Sequence, residues 1–270
     1  MNVPVRRLIV TRPAAEAARW VQALREAGID AVALPLIDIA PVQDDRALCA
    51  ARDRQADYDA LMFVSASAVS HFFGGTPDRT SDRPFMLRTG PAAAYPRCWS
   101  TGPGTARALR EAGVPAAAID TPGQDAGQFD SEALWAVVRP QIRPGTRVLI
   151  VRGGDAAGLA TGRDWLARQI ASEGGEVDTA VAYRRLAPAF GAAERALAAE
   201  GASGRARWLF SSSEAIGNLR LAMPAQTWGA ACALATHARI AQAARDAGFG
   251  VVCGVPAGLP ALIASIESLA

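Results

Sequence analysis

Four short polar segments each follow an apolar run and carry side chains that could do chemistry. They are Thr11-Arg12-Pro13, Ser65-Ala66-Ser67, Arg152-Gly153-Gly154 and Ser211-Ser212-Ser213. Arginine forks match carboxylates in two-point contacts, and main-chain N–H groups at helix starts bind anions. The residues that we expect to contact an anionic ligand are Thr11, Arg12, Ser65, Ser67, Arg152, Gly153, Ser212 and Ser213. The alternatives are that the serines only cap helices and that the arginines form surface salt bridges.

Tyr183 is one of three tyrosines, and Arg184 and Arg185 follow it directly. A phenol at the mouth of a cleft can donate a proton to a leaving group. The alternative is that its ring only packs at a joint between domains. The residue type and its neighbours leave both interpretations open.

The segment Gly102-Pro103-Gly104-Thr105 precedes a helical pattern, as a phosphate-binding loop would. It lacks the third glycine of G-x-G-x-x-G, and the chain has no lysine for a Walker motif, so the sequence disfavours a nucleotide. His71 lies late in a helical pattern, and we expect it to be structural. His237 starts a helix at a strand end and could face a cleft. No acidic cluster accompanies the two histidines, so we expect no metal site.

The composition narrows the function classes. The 270 residues carry a formal net charge of +2 with scattered basic residues, which argues against nucleic acid. Every basic residue is an arginine, which excludes Schiff-base lysine chemistry. The apolar runs fall far short of the ~20 residues that span a bilayer, and we expect no signal peptide. Because the four cysteines form no C-x-x-C pair, we expect reduced thiols in a cytoplasmic protein.

Alternating strands and helices must position these candidates. The apolar runs predict strands at 7–10, 31–34, 60–64, 97–100, 115–119, 147–151, 176–181, 207–210, 230–235 and 250–253. Helical patterns between nearly all of them are typical of an α/β fold with parallel sheets covered on both faces. Ligands bind beyond the carboxyl ends of such strands, where the polar segments lie. Surface loops are predicted at 74–96 and 121–130.

The chain also repeats itself. The segment RLIVTRP at 7–13 matches VLIVRGG at 148–154, and LMFVSASAVSHF at 61–72 matches WLFSSSEAIGNL at 208–219. A third match joins TGPGTARALREAG at 101–113 to THARIAQAARDAG at 236–248. A two-strand unit and a three-strand unit therefore alternate, which predicts two similar lobes with five-stranded parallel sheets. A cleft between two such lobes would be lined from both sides.

The repeat alone does not decide which units combine. Tandem halves would split near residue 140, whereas a swap would join the first two-strand unit to the last three-strand unit. Residues 34–42 and 179–188 have extended patterns at matching places. We favour the swap because these two stretches could pair as a two-stranded connector.

Six segments follow one another along the chain: the opening strand with TRP, then LPLIDIAP, DYDALMFVSASAV, TGPGTARALREAG, VAYRR and FSSSEAI. In this ordered set the chain resembles the uroporphyrinogen-III synthase family over nearly its whole length. The resemblance implies two α/β lobes, the first of them discontinuous. Residues 1–36 plus 187–270 would form the first lobe and 41–180 the second, with 34–42 and 179–188 as connectors.

The resemblance also implies the chemistry. It implies a cofactor-free, metal-free lyase of haem biosynthesis whose substrate is hydroxymethylbilane. Loss of the terminal hydroxyl would give an azafulvene cation, and closure through a spiro intermediate would invert the last pyrrole ring. Tyr183 matches the family's tyrosine and is the expected catalytic residue, while the arginines and loop N–H groups suit a polycarboxylate. We expect a monomer with a transient hand-over from hydroxymethylbilane synthase, and neither a membrane nor a nucleic acid as partner.

The chain departs from the family at two places, the long 74–96 loop and the second Gly-x-x-Thr loop. Family members often carry Gly-x-x-Thr in both three-strand units; the first keeps Gly102 and Thr105, but the second has His237 and Ile240. We expect Gly102, Thr105, Thr236 and His237 to contact the substrate, with Thr236 in place of the missing threonine. The rival hypotheses are a non-catalytic two-lobed module that binds small anions and a nucleotide-dependent enzyme.

Overall fold

The structure is a computed structural model that describes residues 7–74, 96–123 and 128–267. It divides into two compact units, one comprising Met1–Asp38 with Leu186–Ala270 and the other Ile39–Arg185. The predicted loop 74–96 lies almost wholly outside the described residues, as does the middle of the predicted loop 121–130.

The first unit is built on one five-stranded sheet. With elements numbered along the whole chain, its strands are β1 (Leu8–Val10), β2 (Ala31–Ala33), β9 (Arg207–Phe210), β10 (Cys232–Ala235) and β11 (Val251–Gly254). Its helices are α1 (Ala14–Glu26), α7 (Ala192–Ala202), α8 (Ser213–Ala222), α9 (Ala238–Asp246) and α10 (Leu259–Glu267). The strand order is β11–β10–β9–β1–β2, and all neighbours are parallel. The chain therefore enters this sheet twice.

Burial on both faces explains why the interior strand β1 is apolar throughout. Ile9 and Val10 are fully buried in β1, as is usual where helices cover a parallel sheet. On β9, the rings of Trp208 and Phe210 lie stacked with centroids 5.7 Å apart. A Cβ at Gly201 would come within 2.6 Å of the Trp208 indole, so the missing side chain lets α7 approach the sheet.

The second unit is built on a six-stranded sheet. Its strands are β3 (Asp38–Pro41), β4 (Ala60–Phe63), β5 (Arg97–Ser100), β6 (Ile119–Asp120), β7 (Arg147–Gly154) and β8 (Glu176–Leu186). Its helices are α2 (Arg46–Asp53), α3 (Ala66–Phe73), α4 (Pro103–Glu111), α5 (Ser131–Val138) and α6 (Trp165–Ser172), with 3₁₀ turns at Gln55–Asp57, Ala116–Ala118 and Arg139–Gln141. The order is β3–β8–β7–β4–β5–β6, and the pairs from β8 to β6 are parallel.

Alternate side chains of this second sheet enter two separate cores. Leu61 and Phe63 of β4 belong to one buried cluster, whereas Met62 packs with Ile150 in another. The period of two is that of a strand covered on both faces.

Two predictions about strands are corrected. The second sheet has six strands rather than five, because β3 from the predicted connector 34–42 lies beside β8. The predicted strand 115–119 is a 3₁₀ turn at Ala116–Ala118, and only β6 pairs with the sheet. Pro115 lacks an N–H to donate to a ladder, and alanine has a low preference for strands.

Candidate active site

In the second unit, the predicted site residues follow the carboxyl ends of neighbouring parallel strands. Phe63 pairs with Ser100 on one side and with Val151 on the other. The segments after β4 and β5 and the last residues of β7 therefore lie at one edge of the sheet, where parallel α/β sheets bind ligands.

A β-bulge sets the position of Tyr183 at this edge. Arg152 pairs with Val181 and Gly153 with Tyr183, so Ala182 is the extra residue of β8. Bulges re-aim side chains and occur often near active sites. Tyr183 is only 4% exposed. A Cβ at residue 153 would lie 2.6 Å from Cζ of Tyr183, so the ring lies directly against the glycine backbone.

Ser65 joins this arrangement from the end of β4. Its Oγ lies 3.0 Å from the Tyr183 Oη, and either atom could be the donor. The same Oγ accepts a hydrogen bond of 3.1 Å from Ala68 N and so caps α3. Capping and a contact with the phenol are therefore combined in one side chain.

His71, which the sequence predicts to be structural, also lies against Tyr183. The two ring centroids are 5.6 Å apart with an interplanar angle of 39°. Its Nδ1 lies 2.9 Å from the main-chain oxygen of Ser67. Ser67 thus enters the site through its carbonyl, one helical turn before the histidine.

Arg152 is brought to the same edge but is already paired. It is 7% exposed; its Nη1 donates to Asp164 Oδ1 at 2.9 Å and its Nη2 to the main-chain oxygen of Arg163 at 3.3 Å. Among the described residues its buried Nε has no hydrogen-bond partner. The structure therefore shows Arg152 in an ion pair, and its Nε is the guanidinium nitrogen without a partner among the described residues.

The Gly-Pro-Gly-Thr segment begins α4 after β5. Gly102 is the N-cap residue in extended backbone geometry, and Pro103 occupies the first turn. A Cβ at Gly102 would lie 3.0 Å from Phe129 Cβ. Thr105 is buried at 7% exposure. The segment places main-chain N–H groups at the edge, while the threonine points into protein.

In the first unit, Thr11 and Arg12 follow β1. The hydroxyl of Thr11 is buried and donates to the Leu209 oxygen at 2.7 Å, which ties the ends of β1 and β9 together. Arg12 donates to Glu16 at 3.0 Å and stacks 3.8 Å from the ring centroid of Trp20. Burial lowers the pKa of Arg12, and the carboxylate of Glu16 offsets part of that shift. Its Nε has no partner within the described ranges.

The remaining candidates of the first unit lie at the starts of α8 and α9. Ser212 is the N-cap residue of α8 but makes no capping hydrogen bond, and Ser213 is the first helical residue. Thr236 N donates to the Phe210 oxygen at 3.1 Å. His237 caps α9 by accepting from Arg239 N at 3.1 Å through Nδ1.

Metal ligation, a reactive thiol and a membrane-spanning helix are not supported by the described residues. In the described ranges, no three His, Cys, Asp or Glu side chains are grouped so as to hold a metal ion. Burial raises the pKa of the Cys98 thiol to about 12, which keeps it protonated and unreactive at neutral pH. No helix in the described part of the chain is long and apolar enough to cross a membrane.

Known proteins resemble this chain in sequence and in structure. A family model described as uroporphyrinogen-III synthase HemD matches residues 18–263. A mutant uroporphyrinogen III synthase from the extremely thermophilic bacterium Thermus thermophilus is 16% identical, with a TM-score of 0.50 over 97% of both chains. A uroporphyrinogen-III synthetase from Helicobacter pylori 26695 is 14% identical, with a TM-score of 0.58 over 98% of this chain and 100% of the other. At such low sequence identities the structural similarity is evidence for the fold alone. The match to the family model covers residues of both units.

Proposed function

The chain belongs to the uroporphyrinogen-III synthase family, and we propose that it carries out the family's reaction with Tyr183 as general acid. That reaction dehydrates and cyclises hydroxymethylbilane to uroporphyrinogen III and inverts the last pyrrole ring. The observation that supports the residue assignment is the Tyr183 phenol, held against Gly153 at a bulge and 3.0 Å from the Ser65 hydroxyl.

The first step needs a proton at the terminal hydroxyl of the substrate. In our proposal the Tyr183 Oη gives its proton to that oxygen, the C–O bond breaks, and water leaves an azafulvene cation behind. The tyrosinate then accepts a hydrogen bond from the Ser65 hydroxyl, while the Ser65 oxygen still accepts a hydrogen bond from Ala68 N. A serine hydroxyl can serve as donor and acceptor at once, so one side chain can stabilise both states of the phenol.

The later steps need orientation more than further acids. The substituted carbon of the last ring attacks the cation, and the spiro intermediate opens and closes again with that ring inverted. Closure releases one proton from the pyrrole carbon, which can restore the phenol. Holding the ends of a flexible chain in the reacting orientation can replace a large entropic cost.

The substrate is a polycarboxylate, and both units offer groups that suit it. The main-chain N–H groups at the starts of α4 and α8 are placed to donate hydrogen bonds to carboxylates, because helix starts favour anions. Ser212 leaves its helix without a side-chain cap, which suits a ligand oxygen at that position. Arg12 and Arg152 lie at the carboxyl ends of β1 and β7, and in our proposal their positive charges favour the binding of the carboxylates.

The reaction class and cellular setting belong to the same proposal. Loss of water with ring closure makes the enzyme a hydro-lyase. We place it in the cytoplasm as a monomer that takes hydroxymethylbilane from hydroxymethylbilane synthase in a transient hand-over.

A coupled assay tests the function. Hydroxymethylbilane is generated in situ, the protein is added, and the oxidised uroporphyrin isomers are separated by chromatography. We expect the type III isomer to dominate, with heat-denatured protein as the control. If folded protein leaves only the spontaneous type I isomer, the function is wrong and a role in binding small anions takes its place.

The assignment of Tyr183 is tested by Tyr183→Phe. We expect turnover to fall by about 10²–10⁴, the usual contribution of a general acid. The matched control is Tyr58→Phe, because Tyr58 is equally buried and hydrogen bonds Asp178 at 2.7 Å but lies at the amino end of β4. A loss of only a few-fold in Tyr183→Phe would show that substrate groups or water supply the proton.

A further inference from the structure

The contact between His71 and Tyr183 has no part in the mechanism proposed above. The two rings belong to α3 and β8, and their centroids are 5.6 Å apart. Two aromatic rings at such a distance stabilise the fold by more than their buried area accounts for, and each restricts the orientation of the other.

His71 itself is held from two directions. A carbonyl oxygen can only accept, so the 2.9 Å contact with Ser67 means that Nδ1 carries a hydrogen and donates it. Arg52 of α2 donates to the main-chain oxygens of His71 and Phe72, the latter at 2.7 Å. Arginine at these positions satisfies the last carbonyls of a helix. The imidazole therefore has a fixed orientation and a fixed backbone.

The Tyr183 ring packs among buried side chains of the second unit, and the His71 imidazole is one of its contacts. Gly153 offers the phenol ring a flat backbone surface without a side chain. The hydrogen bond with Ser65 constrains only Oη. In the described part of the chain, the charged or titratable groups seen in contact with His71 are Arg52 and Tyr183. The other elements around α3 supply apolar side chains such as Leu109 and Leu149.

We propose that His71 is a positioning residue for Tyr183: its imidazole, fixed by Ser67 and Arg52, holds the phenol where its proton reaches the leaving hydroxyl. The inference rests on the proposed role of Tyr183 as general acid. It deepens that role by adding a chain of contacts from α2 through α3 to β8.

Three variants separate the ring from its hydrogen bond. We expect His71→Ala to lower kcat by about two- to tenfold, within the range for contacting residues, while KM changes less than about twofold. His71→Asn keeps a donor toward Ser67 but loses the ring, and it should resemble alanine. His71→Phe keeps the ring and should restore kcat to within about twofold of the unsubstituted protein. A change in KM alone would overturn the proposal, because it would mean that His71 contacts the substrate.

A second background separates failure of this inference from failure of the proposed function. If His71 acts through the phenol, His71→Ala should cost nothing further in protein that already carries Tyr183→Phe. An equal loss in both backgrounds would overturn the positioning role. If Tyr183→Phe alone leaves turnover unchanged, the general-acid assignment fails first and the inference falls with it.

A measurement without turnover completes the test. The chain has three tyrosines, so ¹³Cζ-tyrosine labelling gives few signals, and Tyr183→Phe identifies the one from Tyr183. We expect that signal to shift or broaden in His71→Ala and to return in His71→Phe, with thermal unfolding as a check on the fold. An unmoved Tyr183 signal in folded His71→Ala would contradict the proposal.

Discussion

At the scale of single residues, Gly153 limits where Tyr183 can lie. The ring occupies space that the smallest side chain would fill, since a Cβ would lie within 2.6 Å of Cζ and 2.9 Å of Oη. The bulge between Arg152 and Gly153 brings the two residues opposite each other. The missing Cβ of Gly153 therefore matters as much for the position of the phenol as the hydrogen bond with Ser65 does.

We therefore expect replacement of this glycine to affect the rate of catalysis more than the stability of the fold. We expect Gly153→Ala to push the phenol away from Ser65 and to lower kcat by about 10²-fold, the cost of misplacing a catalytic group by about 1 Å. Turnover and thermal unfolding are measured together. The control is Gly217→Ala in α8, where a Cβ meets nothing within 4 Å and a helix gains roughly 0.5–1 kcal/mol. Unchanged turnover in Gly153→Ala would show that the ring position is not critical.

The sequence predicted some of these contacts and missed others for a physical reason. Arg12 and Glu16 stand one helical turn apart, so their ion pair is visible in the sequence as the salt-bridge alternative. The contact between His71 and Tyr183 joins a helix to a distant strand through tertiary packing alone. No local pattern encodes it, and the helical position of His71 pointed only to a structural role.

At the scale of elements, two serines occupy the same place in the repeat and behave differently. Ser65 begins α3 and accepts from Ala68 N, whereas Ser212 begins α8 without a side-chain cap. The same hydroxyl in the same sequence context is therefore used for stability in one unit and left available in the other.

This difference predicts unequal effects on stability. Ser65→Ala should cost about 1 kcal/mol, the usual loss for a removed cap, and Ser212→Ala should cost well under half of that. Urea denaturation of the two variants measures both against the unsubstituted protein. Equal losses would mean that Ser212 also caps its helix in solution.

Strands were predicted best where both faces are buried. The residues of β4 and residues 148–151 of β7 are all apolar because each face of these strands lies in its own core. The segment 115–119 is equally apolar, but Pro115 and three alanines favour a tight turn over a ladder. For β3, the sequence predicted an extended connector that pairs with 179–188, and the structure does place β3 beside β8. What the sequence did not show is that this pair extends the second sheet to six strands.

At the scale of the whole molecule, the first sheet combines strands from both ends of the chain. β1 lies between β2 and β9, so the first two strands join the last three. The internal repeat predicted the units but not their partners, because equivalent units carry equivalent apolar faces. Apart from the family resemblance, the two extended stretches after each two-strand unit were the sequence feature that favoured this arrangement.

The same topology predicts how fragments behave. Residues 39–185 contain all strand pairs of the second sheet from β8 to β6 and should fold alone, with a cooperative thermal transition. Residues 186–270 lack β1 and β2, which leaves the apolar edge of β9 unpaired, and they should stay unfolded or aggregate. Circular dichroism and proton NMR of the two fragments measure this. A folded 186–270 fragment would contradict it.

The position of β1 beside β9 also has a consequence for biosynthesis. Leu8 pairs with Arg207. The ribosome must therefore add nearly two hundred residues after β1 before β9 is available to pair with it. At about 5–20 residues per second, that wait lasts roughly ten to forty seconds. Throughout it, the nascent chain carries the apolar β1 without β9, and the whole second unit is synthesised during this time. Chaperones that bind short apolar segments should therefore meet this protein at its amino-terminal strand first.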